Sequence, residues 1–275
     1  MVRFARGVTA LLCAALVLGG VGYAAWGLLR VQTDGAQITH ITIRSRSVHA
    51  ALPVTLVTPP GGGAGRGLLI FLHGRGGDQN SELSSAFFAA LRALGPRGFD
   101  VAFPDGGDHS YWHNRASGAW GSYVLREVLP TALRRLHADP RRLAIGGISM
   151  GGFGAYDLAR VRPGLFCAVG GHSAAVWPAA ADTAPGAFDD AGDFARNNVI
   201  GFAARRGRSL YPGAALWLDG GSADPFHPYD EMLAHSLGIS LHVWPGGHDF
   251  GYWDAHWPQY LGFYAAALAH CHRSS

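Results

Sequence analysis

From Leu68 the chain reads LLIFLHG, an unbroken apolar run closed by glycine, and FDVAFPDG, RRLAIGGIS, LFCAVGGHS, AALWLDGG and ISLHVWPGG are further strand-like stretches along the chain. A short run such as LLIFLHG, with no polar alternation and closed by a turn residue, predicts a strand covered on both faces. Two earlier stretches, QITHITIRS and HAALPVTLVTPP, alternate more and are rich in β-branched residues, which predicts an antiparallel hairpin at one sheet edge. Helical spacing falls between the apolar runs: near 80–94, from about Trp120 to Leu136, after Ser149, around 227–238, and in a last helix ending near His270. Alternation of this kind predicts an α/β domain, a mostly parallel sheet with helices on both faces. Residues 174–212 show no clear period and are expected to be irregular.

One hydrophobic stretch stands outside the pattern. Residues 7–29 carry no formal charge and are preceded by Arg3 and Arg6, so residues 1–30 read as a signal peptide or a membrane anchor with the remainder outside the cytoplasm. Gly22 and Ala24 would suit a signal peptidase, yet the stretch exceeds the roughly 7–15 residues of a usual signal core, which favours an uncleaved anchor and membrane contact through 7–29. Residues 31–36 follow as a linker and 37–275 as one catalytic domain. Composition adds exclusions. The 22 basic residues are all arginine, the formal charge is only +3, and no basic stripe points to nucleic acid. Cys167 and Cys271 are the two cysteines beyond the apolar segment, compatible with one disulfide but not with a disulfide framework.

In open α/β sheets the sites lie beyond the carboxyl ends of the strands. There, GISMG at 147–151 matches G-x-S-x-G between a predicted strand and a predicted helix. A corner that sharp holds Ser149 in strained backbone geometry and requires neighbours without bulk, which Gly147 and Gly151 supply. Gly152 then lets the helix approach the sheet, and the helix N-terminus brings N–H groups to where an oxyanion would form.

A serine hydroxyl needs a base, and the base an orienting group. LWLDGGSADPF offers Asp219 at a strand end and Asp224 in the loop beyond; HVWPGGHDFGYW places His248 in a glycine-rich loop after the last strand. Asp224 is taken as the acid, with Asp219 finishing its strand on local backbone N–H groups and remaining the alternative. Asp249, beside His248, reads as a helix cap. For the oxyanion, the N–H of Met150 and that of Arg75 in HGRGGD are the candidates, with Gly76 if the loop is set one residue differently. Trp112, His113 and Trp120, in the loop HSYWHNRASGAW, are expected to line a substrate pocket, and FDDAGDF reads as a solvated turn. No cofactor or metal is called for.

The stretches IFLHGRGGD, VLREVLPTALRRL, RRLAIGGISMGGFGAYDLARVRPGLFCAVGGHSA, WLDGGSADPF and WPGGHDFGYWDAHWPQYLGFY resemble the esterase branch of the α/β-hydrolase superfamily, which includes esterase D-like, feruloyl and acetylxylan esterases with mycolyltransferases as relatives. That resemblance implies an eight-stranded α/β-hydrolase sheet, Ser149 as nucleophile, His248 as general base and then acid, Asp224 orienting it, and a small-molecule or polysaccharide-linked ester as substrate. It leaves an acyltransferase as the alternative function; the transferase relatives ordinarily place glutamate where this chain has Asp224, which favours hydrolysis.

Overall fold

A computed structural model of the chain describes residues 31–271. The segment read as signal peptide or anchor lies outside the described residues, and no helix among those described is long and apolar enough to cross a membrane.

Eight strands form one sheet in the order β1-β2-β4-β3-β7-β8-β9-β10. The edge hairpin pairs β1 (Gln37–Ser45) with β2 (Ala50–Thr58) antiparallel, Gln37 facing Thr58 and Ser45 facing Ala50. β2 also runs antiparallel to β4 (Asp100–Pro104). From there β3 (Leu68–Leu72), β7 (Leu143–Ile148), β8 (Ala168–His172), β9 (Ala215–Gly221) and β10 (Leu241–Trp244) are parallel. A short ribbon of β5 (Asn114–Arg115) and β6 (Gly118–Ala119) sits apart. The helices are α1 (Ser85–Ala93), α2 (Trp120–Tyr123) continuing through a π-helical turn (Val124–Val128) into α3 (Leu129–Leu136), α4 (Met150–Val161), α5 (Ala191–Asn197), α6 (Val199–Arg206), α7 (His227–Leu237) and α8 (Phe250–Ala269).

The unbroken apolar runs follow from two cores. All five residues of β3 are buried: Leu68, Ile70 and Leu72 join the core that holds Phe153 and Tyr156 of α4, and Leu69 and Phe71 join the one that holds Phe87 of α1 with Tyr260 and Tyr264 of α8. Successive strand side chains point to opposite faces, so every side chain of a strand covered twice enters one core or the other, and a polar one there needs a buried partner. The glycines of β7 and β8 set the depth of α8. A Cβ at Gly146 or Gly170 would fall on the Tyr264 hydroxyl, which instead hydrogen-bonds His172 Nε2 at 2.9 Å. Beyond α8, Cys271 forms a disulfide with Cys167, just ahead of β8, their Cα atoms 5.7 Å apart. Closing a loop of that length is worth about 5 kcal/mol in the chain-entropy view.

Two expectations need correction. Residues 174–212 contain α5, α6 and two 3₁₀ turns, Ala180–Asp182 and Gly207–Leu210. FDDAGDF is a tie point instead of a solvated turn: Asp190 caps α5 by accepting from the Asp193 N–H at 2.7 Å, and Asp189 takes two bonds from the Arg115 guanidinium at 3.0 and 2.8 Å. Asp193 is fully buried and hydrogen-bonds His113 Nε2 at 2.9 Å. These partners lie some 75 to 80 residues upstream, so no local pattern reveals them.

Candidate active site

β7 ends at Ile148 and α4 begins at Met150, leaving Ser149 alone to make the corner, at φ 55° and ψ −114°. That is a costly conformation for a residue with a Cβ, and it persists because the surroundings fix it. The Ser149 N–H donates to His172 O at 2.9 Å, and its carbonyl accepts from Phe153 and Ala175 at 3.1 and 3.0 Å. The flanking glycines are required by contact: a Cβ at Gly147 would lie 2.5 Å from the Leu72 carbonyl oxygen, and one at Gly151 would fall on that same oxygen. At Gly152 a Cβ would come within 3.0 Å of the Ala174 Cβ. The hydroxyl is thus held out at the head of α4, where the helix dipole is positive.

His248, in the loop between β10 and α8, places Nε2 2.9 Å from Ser149 Oγ and Nδ1 2.9 Å from Asp224 Oδ2. An ionised carboxylate only accepts, so Nδ1 carries the proton and Nε2 accepts from the serine hydroxyl. Asp224 Oδ1 accepts the Phe226 N–H at 2.8 Å. Burial pushes the Asp224 carboxyl up, but His248, the Phe226 N–H and the Ser173 hydroxyl together outweigh it and hold the group below the usual carboxylate range. Asp249 caps α8, accepting the Tyr252 N–H at 3.0 Å.

Asp219 lies elsewhere. Fully buried, it accepts from His172 Nδ1 and Trp217 Nε1 on one oxygen, at 2.6 and 2.7 Å, and from Tyr260 and Tyr252 hydroxyls on the other, at 2.8 and 3.2 Å. Its partners are side chains, not the local backbone N–H groups expected from sequence.

The loop after β3 also resolves between its two candidates. The Gly76 N–H donates to Asp108 O at 2.9 Å, which removes it as an oxyanion donor. Among the described residues no acceptor takes the Arg75 or the Met150 N–H. The Arg75 guanidinium donates to Pro185 O at 3.1 Å and neighbours the Tyr111 hydroxyl, tying this loop to the segment between β8 and α5.

A cleft of about 380 Å³ opens over Ser149, with Arg75, Ile148, Phe226, His248, Phe250 and Trp253 in its walls. Tyr111 is the aromatic contributed from HSYWHNRASGAW; the expectation for Trp112, His113 and Trp120 is corrected. Trp112 has no exposed surface and fills the space left by Gly106 and Gly154, while its indole N–H supports the loop after β3 by donating to His73 O at 3.2 Å. His113 is held by Asp193. Trp120 covers Gly107 and Gly118 and donates to Ser117 Oγ at 3.2 Å. Aromatic content in a loop after a strand marks packing as readily as a pocket; Tyr111 and Trp112 share a turn at positive φ, and both are buried, with only Tyr111 contributing to the cleft wall.

Sequence reasoning missed Glu82, which also lines the cleft. It is only 4% exposed, and burial pushes its carboxyl up to about 7 against the attraction of His73. Between the ordinary 4.5 and that value the folded protein holds a proton that the unfolded chain has released, so stability falls as pH rises through this window and levels off above it. The loss is on the order of 3 kcal/mol. Asp100, raised to about 6 by burial, acts with the same sign but cancels between a variant and the native protein. Urea unfolding is therefore expected to show Glu82→Gln gaining on the native protein by about that amount between about pH 4.5 and pH 8; an equal difference at both pH values would refute the assignment.

The architecture and the serine corner are those of the α/β-hydrolase fold. The Esterase family model matches residues 44–264, and the chain belongs to that family. It is 31% identical over 114 residues to Esterase Rv1288 of Mycobacterium tuberculosis, a match covering 38% of this chain and 25% of the relative; the match thus spans about a quarter of that relative's length. A ferulic acid esterase superposes with a TM-score of 0.74 at 19% identity, over 84% of this chain and 98% of the other. An S-formylglutathione hydrolase from Agrobacterium tumefaciens gives 0.72 at 19% identity, over 86% and 96%. At such identities the two structures speak to the fold alone.

Proposed function

We propose that this protein is an extracytoplasmic serine esterase that hydrolyses a carboxylic ester through an acyl-enzyme on Ser149. The observation that carries the reading is the relay Ser149 Oγ to His248 Nε2, and His248 Nδ1 to Asp224, each at 2.9 Å. His248 takes the hydroxyl proton as Ser149 Oγ attacks the ester carbonyl, and the charge gathering on that oxygen is held by the N–H groups of Met150 and Arg75. His248 then gives the proton to the leaving alcohol. Water, activated by the same imidazole, releases the acid and restores Ser149. Asp224 stays ionised throughout and stabilises the imidazolium between the two transfers. The apolar cleft walls suit a small-molecule ester or an ester carried on a polysaccharide. Placement outside the cytoplasm draws on the apolar stretch at 7–29 and on the Cys167–Cys271 disulfide, a bond that persists in oxidising compartments.

A fluorophosphonate probe is expected to label Ser149, and an ester panel to yield free acid even when an alcohol acceptor is added. Dominant transfer to the acceptor would establish the acyltransferase reading instead, and no labelling would remove both.

A further inference from the structure

We propose that Glu82 is a specificity-determining residue of the Ser149 cleft, a buried hydrogen-bonding point that selects esters carrying a neutral hydroxyl on their apolar body; this rests on the esterase reading above. Glu82 contributes to the cleft wall beside Gly74, Arg75 and Gly77, so it stands next to the loop that faces the reacting carbonyl. Its Oε2 is buried and finds no hydrogen-bond partner among the described residues. A buried carboxyl with an unmade bond is an unusual thing for a fold to keep, since the unsatisfied group costs stability that an apolar side chain of similar size would not. The last torsion of a glutamate is soft, and a small turn of the carboxyl presents that oxygen to a ligand in the cleft.

The chemistry of the ligand follows from the surroundings. With burial raising the carboxyl to about 7, Glu82 is largely a neutral acid below neutral pH and about half so at pH 7, and in that form it is able to donate and to accept, as a hydroxyl is. His73 and Asp78 are the charged or titratable groups that act on it, and Arg75 shares the cleft, which disfavours an ammonium group. Ile148, Phe226, Phe250 and Trp253 leave the rest of the cleft apolar. A site built to bond a substrate hydroxyl rejects the analogue that lacks it, because the buried group is then left unpaired.

The test compares methyl hexanoate with its 3-, 4-, 5- and 6-hydroxy counterparts and with methyl 6-aminohexanoate, hydrolysis being followed by pH-stat. The native protein is expected to prefer at least one hydroxy ester by tenfold or more in kcat/KM. That preference should vanish in Glu82→Leu and in Glu82→Met, the second guarding against a folding defect in the first, and should persist within about threefold in Glu82→Gln, which can still donate and accept. Preference for no hydroxy ester, preference for the amino ester, or a preference that survives both apolar variants would overturn the proposal. Fluorophosphonate labelling of Ser149 separates the two levels: failure of labelling in the native protein defeats the esterase reading, whereas intact labelling with no hydroxyl preference defeats only the role of Glu82.

Discussion

Ser149→Ala is expected to lower kcat for any cleaved ester by roughly 10⁴ to 10⁶ while leaving the fold unchanged. The size follows from the relay: without Oγ, 2.9 Å from His248 Nε2, the imidazole has no hydroxyl to deprotonate, and only binding and the backbone donors still act on the carbonyl. The fold should survive because the corner is set by the backbone. The Ser149 N–H and carbonyl bonds to His172, Phe153 and Ala175 do not involve the side chain, and alanine brings a Cβ no larger than the one already accommodated. Circular dichroism and the urea midpoint check the second half. A variant that kept more than a hundredth of native activity would end the nucleophile assignment.

Asp224→Asn is expected to cost roughly 10⁴ in kcat, again with the fold intact. An amide presents both a donor and an acceptor, so His248 can meet it through the wrong tautomer, and the imidazolium formed during attack loses its counter-charge. Asp219→Asn makes the informative contrast. Asp219 accepts four side-chain bonds in the core and touches neither Ser149 nor His248, so its loss should appear as a lower urea midpoint, with kcat of the folded fraction falling by less than about tenfold. The reverse outcome, a large kcat loss at Asp219 and a small one at Asp224, would exchange the roles of the two carboxylates.

The strand pattern was legible because β3, covered on both faces, is apolar throughout, and each strand-like stretch named in the sequence corresponds to a strand of the sheet. The serine corner was legible for a related reason. Gly147, Gly151 and Gly152 are demanded by backbone atoms within a few residues of Ser149 or by the adjacent strand, and steric demands of that kind leave a local mark. The choice of Asp224 over Asp219 followed from position: Asp224 lies in the loop beyond the strand, whereas Asp219, at the strand's end, was expected to bond local backbone N–H groups. What Asp219 does instead was not legible, since its partners reach it from β8, β9 and α8.

The aromatic loop and the acidic cluster show the same limit. Trp112, His113 and Trp120 had the composition of a pocket wall, and Asp189 and Asp193 that of a wet turn, yet His113 meets Asp193 and Arg115 meets Asp189 across the fold. Glu82 carried no signal at all, because an acidic residue in a polar loop looks solvated until the walls around it are assembled.

Local rules written along the chain, apolar period, turn chemistry and glycine at a crowded corner, were enough to define the architecture and to single out Ser149, His248 and Asp224. Which oxygen a buried carboxylate meets, which ring faces the cleft and which acid is left dry depend on contacts between segments distant in sequence. Those contacts are made by burial and distance, and neither exists until the chain has folded.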